Sequence, residues 1–312
     1  MAENSCHYDF LLSEVERMQL SVNFPVSIRV PFIAKITTCL PVPEFRPGKC
    51  LFIICIFMMM SSFSAFASTV FDHSDWDSIL KEYVDDAGLV NYQKIILTRA
   101  KLDGYVERIK QHGPLTQPQL FPTENHRLAY YINAYNALVF HGVLSRGPEP
   151  VSVWSGLISG LNFFVLTRFT LDQKQISLKT LEDKYIRRQF KDPRIHAALN
   201  CASMSCPRLQ KFAFDGDKLD YELTAAMQEF VGNPAHVKID RARGIVLISK
   251  IFDWFDVDFI EFERSKLNPQ PNLIDYINRY RTPSSQINRN FRIKFESYNK
   301  NINSIDFPTV SG

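Results

Sequence analysis

The segment Leu128–Phe140, LAYYINAYNALVF, carries no charged residue. A helix that is apolar on every side is a buried helix, so the rest of the chain has to wrap around it. Two asparagines interrupt it, Asn133 and Asn136. Asparagine is a poor helix former, because its amide competes for backbone hydrogen bonds. Three positions apart, the two amides share one side of the helix. A buried amide left without partners costs roughly 1–3 kcal/mol, so both need fixed ones. Two readings stand: a structural network bridging to a loop, or the lining of a ligand or catalytic pocket. Glu124, at the start of the same helix, favours the helix dipole. That explains it as a cap-region charge, with a place in the pocket as the alternative.

The surrounding periodicity predicts more helix than strand. Thr123 caps a helix over 123–145 that stops near Gly147-Pro148. Further helices fit 74–87, 94–111, 178–189 behind the cap Ser177, 217–231 and 271–280. Phe163–Leu166 and Phe169–Leu171 alternate like short strands, with a turn at Asp172-Gln173-Lys174. Val237–Ile239 and Ile245–Ile248 flank Arg241–Gly244 as a hairpin. The regular strand–helix alternation of a doubly wound sheet is missing. The expected fold class is α+β: one predominantly helical domain over 72–305, with a few short antiparallel strands, and a tail at 306–312.

The long uncharged apolar run lies at 50–66, CLFIICIFMMMSSFSAF. Arg46 and Lys49 precede it and Ala65-Phe66-Ala67 follows it. A positive flank, an apolar stretch and a small-residue exit are the parts of a secretory signal, here 46–67. The apolar part before Ser61 is shorter than the roughly 20 residues of a membrane span. An uncleaved anchor at 50–66 is the alternative. A signal begins at the true N-terminus, yet 1–45 precede this one, with no clear period and with Pro25, Pro31, Pro41 and Pro43. The expectation is a start nearer the apolar run, with a long cytoplasmic leader as the alternative. The protein is then exported, periplasmic or secreted, or else anchored in the inner membrane. Cleavage removes Cys6, Cys39, Cys50 and Cys55, and leaves Cys201 and Cys206.

These two cysteines lie in Asp192–Pro207, DPRIHAALNCASMSCP, where small residues crowd around polar ones. One reading is a Cys201–Cys206 disulfide, which an oxidising compartment favours and which contributes roughly 2 kcal/mol in so small a loop. A second is a nucleophilic Cys201 thiolate with a histidine base. On a helix, five positions turn through about 500°, so Cys201 and His196 point some 140° apart. On a strand they face opposite sides. A Cys201–His196 pair therefore needs a bend between them, whereas His196 and Asn200 share a face; His126 or His141 could serve as the base instead. A third reading, metal held by His196, Cys201 and Cys206, has no standard zinc spacing and no evident fourth ligand. No metal and no cofactor are expected.

Other chemistries are disfavoured by absent motifs. There is no GxSxG, HExxH, GxGxxG or phosphate-binding glycine loop. The balance of 36 basic against 33 acidic residues gives no electrostatic footprint for nucleic acid.

Together, Leu128–Leu138 with its I-N-A-Y-N-A-L and the segment DPRIHAALNCASMSCP resemble the family called domain of unknown function 547. Val90-Asn91-Tyr92, Leu178–Tyr185 and Tyr298–Asn303 (YNKNIN) extend the resemblance over roughly 75–305. The last segment usually reads Y-D-W-x-L-N in that family, and Asn299 and Lys300 depart from it. The resemblance implies no particular reaction. It does imply that Asn133, Asn136, His196 and Cys201 share a site, and a cytosolic setting for some relatives weakens a disulfide as the reason for that site. The expected function is an exported binding or interaction domain, with Asn133, Asn136, Glu124 and Asn200 as its polar cluster. Its partner is an unknown small molecule or protein. The alternative is a thiol-dependent hydrolase or transferase using Cys201 and His196.

Overall fold

The computed structural model describes residues 70–147, 152–154 and 159–305. The readings for 1–45, 46–67 and 306–312 lie outside them. The first helix, α1 (Ser74–Tyr83), buries Trp76, Ile79, Leu80 and Tyr83 on one face. It stops short of position 87 because the chain turns back and Val84 bridges to Val90. Gly88 makes that turn at φ +82°, and a Cβ there would meet the Leu209 backbone nitrogen at 2.8 Å. The helix expected over 94–111 is two helices, α2 (Tyr92–Leu97) and α3 (Ala100–Gln111). The break falls at Thr98, whose hydroxyl bonds back to Lys94 O and meets Tyr83 OH.

Helix α4 (Glu124–Leu144) is capped by Thr123, whose side chain accepts from the His126 amide. From Leu128 to Phe140 it is buried throughout, as an uncharged helical stretch must be. The strand expected at Phe163–Leu166 is instead a π-helix, Asn162–Leu166. A strand would send Phe163 and Phe164 to opposite faces; both are buried here and stack edge to face. Phe163 lies against Gly142 of α4, where a Cβ would come within 2.9 Å. The expected strand Phe169–Leu171 (β1) is present, and it pairs antiparallel with β2 (Lys174–Ile176), which begins at Lys174, a residue assigned to the turn. Asp172 and Gln173 both take positive φ, as a two-residue hairpin turn requires. Ser177 then caps a helical run to Phe190, whose middle, Leu181–Arg187, is π-helical.

After the 3-10 turn Pro193–Ala197 and an irregular loop comes α5 (Leu219–Gly232). The hairpin of β3 (Val237–Asp240) and β4 (Ile245–Ile248) is antiparallel. The strand β5 (Arg292–Phe295) pairs parallel to β4, which corrects the expectation of antiparallel strands alone. Between them lie α6 (Ile251–Trp254), α7 (Asp256–Ser265) and α8 (Leu273–Arg279). A capping box of Asn272 and Asp275 starts α8. The fold is α+β and mostly helical.

Two apolar cores result. One surrounds α4 and takes in α1–α3 and the π-helices. The other gathers α5, β3, β4, α7 and α8. The turn Pro193–Ala197 lies on the seam: Ile195 belongs to the first core and Ala197 to the second. Among the described residues, no helix is long and apolar enough to cross a membrane.

Candidate functional site

The loop after this turn has little regular structure, and asparagine amides hold it in place. Asn136 donates from Nδ2 to Ala198 O (2.9 Å) and accepts at Oδ1 from the Asn200 amide (2.9 Å). Asn133 treats Phe214 in the same way, donating to its carbonyl (2.8 Å) and accepting from its amide (2.9 Å). Each side chain thus replaces a strand partner for one point of the loop. Asn200 accepts from the Ala202 amide and donates to Pro207 O. Asn303 donates to Asn200 Oδ1 and accepts from Tyr92 OH. These are the fixed partners a buried amide needs, and they make the asparagines loop clamps. Glu124 is separate from this cluster, exposed on the first turn of α4 and paired with Arg127 at 3.0 Å.

Between the clamps sit Cys201, half-buried, and Cys206, buried. Both are free. Their sulfurs are 2.8 Å apart, longer than the roughly 2.05 Å of a disulfide, so of the readings offered for this pair the structure holds two thiols and not the disulfide. The Cys201 amide donates to Cys206 Sγ at 3.1 Å. Ala202 takes φ +60°, a backbone region that a non-glycine residue enters only when its surroundings hold it there. Ser203 Oγ lies 3.4 Å from Cys201 Sγ and accepts from Trp154 Nε1 at 2.9 Å.

A C-terminal strap covers the pair. Met204 and Ser205 donate from their amides to Asn301 O and Asn299 O, and Asn303 donates to Ala202 O. This antiparallel contact sets Tyr298 over both sulfurs, with its hydroxyl 3.2 Å from Cys201 Sγ and 3.3 Å from Cys206 Sγ. Its ring packs on the half-exposed Trp254. Tyr298 is a site residue that residue-type reasoning missed, although it opens the YNKNIN segment. The Cys206 S–H bond pulls the Cys201 thiol down to about 7, against the opposing effect of burial, with Ser203 and Tyr298 helping. Burial pushes Cys206 up, and its neighbour's thiolate adds to that. Glu182, on the π-helix Leu181–Arg187, feels the same thiolate; burial raises its carboxyl to about 7.

The histidine expected beside Cys201 points elsewhere. His196 Nε2 meets Asp258 Oδ2 at 2.7 Å, and its ring stacks on Phe255 at 4.2 Å. Asp258 also takes Arg187 at 2.8 Å, and Arg187 reaches Asp183 at 2.7 Å. The bend supplied by the loop therefore brings Cys206, not His196, to Cys201. His126 bonds Thr123 and His141 faces Asp103, and neither makes a hydrogen bond to Cys201. Burial lowers the His196 pKa, and the Asp258 carboxylate opposes it. Burial alone would raise Asp258, but bonds from His196 and Arg187 bring it down to about 2. This chain of charges ties α7 in the second core to the π-helix of the first. Asp258→Ala is expected to destabilise the fold by about 2–3 kcal/mol, because it leaves the buried His196 without its hydrogen-bond partner and Arg187 with one carboxylate in place of two. The measurement is the urea midpoint at pH 7; a shift below about 0.5 kcal/mol would show that the chain is ornamental.

The described residues hold no cluster of three or more His, Cys, Asp or Glu side chains fit for a metal ion. A cavity of about 480 Å³ does exist, but away from the thiols. It opens between the start of α1, the first turns of α4 and the loop 212–218. The thiol pair and this cavity are thus at different places.

Residues 120–231 match the profile of a family described as protein of unknown function, DUF547. The match spans α4, the clamps Asn133, Asn136 and Asn200, both cysteines and all but the last residue of α5. No curated protein and no solved structure matches the chain.

Proposed function

The chain belongs, through residues 120–231, to the DUF547 family, and on that premise we propose that Cys201 and Cys206 form a dithiol centre that exchanges electrons with a disulfide substrate. The observation that carries this reading is the 2.8 Å approach of two free thiols, one of them half-exposed and easily ionised. A thiolate, not a thiol, is the nucleophile, and it works best with a pKa near the ambient pH.

The steps follow from the positions. The Cys201 thiolate attacks one sulfur of a substrate R–S–S–R′. A Cys201–S–S–R bond forms, the S–S bond of the substrate breaks, and R′S⁻ leaves. Cys206 loses its proton and attacks Cys201 Sγ, which releases RS⁻. The two thiolates take up protons. The substrate disulfide has gained two electrons and the protein has gained a Cys201–Cys206 disulfide, for which the sulfurs close by less than about 1 Å. The hydroxyl of Tyr298 donates to whichever sulfur carries charge. Export, expected from residues 46–67, would place the centre where substrate disulfides are found. A hydrolase or transferase of the cysteine–histidine type is less well supported, since no described histidine touches Cys201.

Mass-mapped alkylation of the reduced full chain over a pH series tests this. Cys201 is expected to label with a midpoint near 7 and Cys206 to stay silent. Cys206→Ala removes the main donor to the thiolate and is expected to slow labelling of Cys201 at pH 7 by about tenfold, the effect of one charge-assisted hydrogen bond. Treatment of the reduced protein with a small aromatic disulfide is expected to yield the internal Cys201–Cys206 disulfide and two equivalents of aromatic thiol. Labelling of Cys201 only above pH 9, or a mixed disulfide that never resolves, would overturn the reading.

The expectation of a binding domain keeps separate support, because the large cavity lies apart from the thiols.

A further inference from the structure

We propose that this cavity is a binding site for an organic cation, an ammonium group carried on an apolar body. The proposal stands whether or not Cys201 reacts. A space of about 480 Å³ is the size of a small-molecule site. Its floor is aromatic: Phe71 stacks on Phe121 at 5.6 Å, and Phe214 and Phe212 meet edge to face. Its polar wall is acidic, formed by Asp77, Asp215 and Glu222. An apolar floor beneath a carboxylate wall accepts the two ends of an amphipathic amine, and aromatic faces attract cations.

Glu222 is the wall's one carboxylate without an ion pair among the described residues. Lys81 and Lys218 pair with Asp77 and Asp215, but both lysines are more than 60% exposed and stand at the rim, in solvent. Glu222 is only 9% exposed. It accepts the Asp215 amide through Oε2 at 2.9 Å, and Oε1 has no partner among the described residues. Burial raises its pKa, and repulsion from Asp215 and Asp77 adds to this, while the Asp215 amide and Lys218 oppose it. Of the two imidazoles of the cavity, His73 adds no positive charge to the wall. Burial pushes His73 down to about 3, and its Nδ1 is engaged by Tyr105 OH. His126 is held between Thr123 and Gly216, where a Cβ would come within 2.5 Å of the ring. The site therefore presents the Glu222 carboxyl group, without an ion pair among the described residues, over an apolar floor. A cation relieves that repulsion and an anion aggravates it.

Calorimetry on the full chain tests the assignment with three probes of one shape: phenethylamine, 2-phenylethanol and 3-phenylpropanoate. Phenethylammonium is expected to bind at least about tenfold more tightly than the alcohol, and the carboxylate not at all, as a desolvated ion pair over an aromatic face predicts. Near pH 5.5, runs in two buffers of different ionisation heat are expected to show proton release on amine binding, because the bound cation favours ionised Glu222. Glu222→Gln is expected to abolish that release and to weaken amine binding by about tenfold while leaving the alcohol unchanged. Equal binding of amine and alcohol, or no heat from the amine up to about 10 mM, would overturn the proposal. Both comparisons use the unmodified protein, so a variant that fails to fold does not blunt the test.

Discussion

Asn136→Ala is expected to remove about 3–5 kcal/mol of stability and to disorganise the thiol pair with it. The amide of Asn136 serves two buried backbone groups, Ala198 C=O and Asn200 N–H. Neither has another partner in reach of water, since Ala198 and Asn200 are both about 5% exposed. Truncation leaves each unpaired at roughly 1–3 kcal/mol, and the small cavity adds to that. Asn200 is also the anchor for Ala202 and Pro207, so the loop loses its register on both sides of Cys201. Urea unfolding followed by circular dichroism gives the first number. Alkylation gives the second: the midpoint for Cys201 is expected to rise from near 7 toward that of an ordinary thiol. Asp in place of Asn136 keeps the acceptor but loses the donor, and is expected to fall between the two. A loss in Asn136→Ala below about 1 kcal/mol, with Cys201 reactivity unchanged, would show that the loop holds itself.

That clamp also marks how far the sequence could be read. An uncharged helix with two asparagines on one side demanded partners for both amides. The partners themselves lie 62 to 81 positions away, in a loop without periodicity, and nothing local names them. The five-position spacing warned against a Cys201–His196 pair. The true partner of His196, Asp258, sits on α7, an acidic, aromatic segment whose helical face was not recognised. The π-helix Asn162–Leu166 mimicked a strand because aromatic and branched residues follow one another there, and type alone does not distinguish the two. The strand β5 is exposed and short, and its parallel pairing with β4 depends on everything folded between them. Tyr298 illustrates the same limit. A tyrosine near the C-terminus becomes a site residue only when the strap lays it across the loop.

The second large effect is acid unfolding, steepest below about pH 4.5. Burial lowers His73 to about 3 and His236 to about 4, and it lowers His196 as well, against 6.5 when unfolded. A histidine with a lowered folded pKa binds its proton in the unfolded chain first. The stability it confers is complete above pH 6.5 and is lost as the pH falls toward the folded value. Glu182 and Glu222 act in the opposite sense. Their folded pKa values are raised, Glu182 to about 7, so they stabilise below pH 4.5 and lose that contribution as the pH rises. Between 4.5 and 6.5 the two sets largely cancel, and stability is expected to decline gently. Below 4.5 the glutamates stop contributing to the slope while His73 continues. Asp258, lowered to about 2, joins it as the unfolded aspartate protonates near 3.8. Urea midpoints from pH 8 to 3.5 measure this curve, and His236→Phe isolates one part of it. The His236 ring packs on Phe230 and makes no side-chain hydrogen bond among the described residues, so phenylalanine removes the titration while keeping the contact. The variant is expected to match the parent within about 0.5 kcal/mol at pH 7.5 and to exceed it by about 2–3 kcal/mol at pH 4.5, the linkage for a shift of that size. An equal effect at both pH values would mean that His236 is not held neutral in the fold.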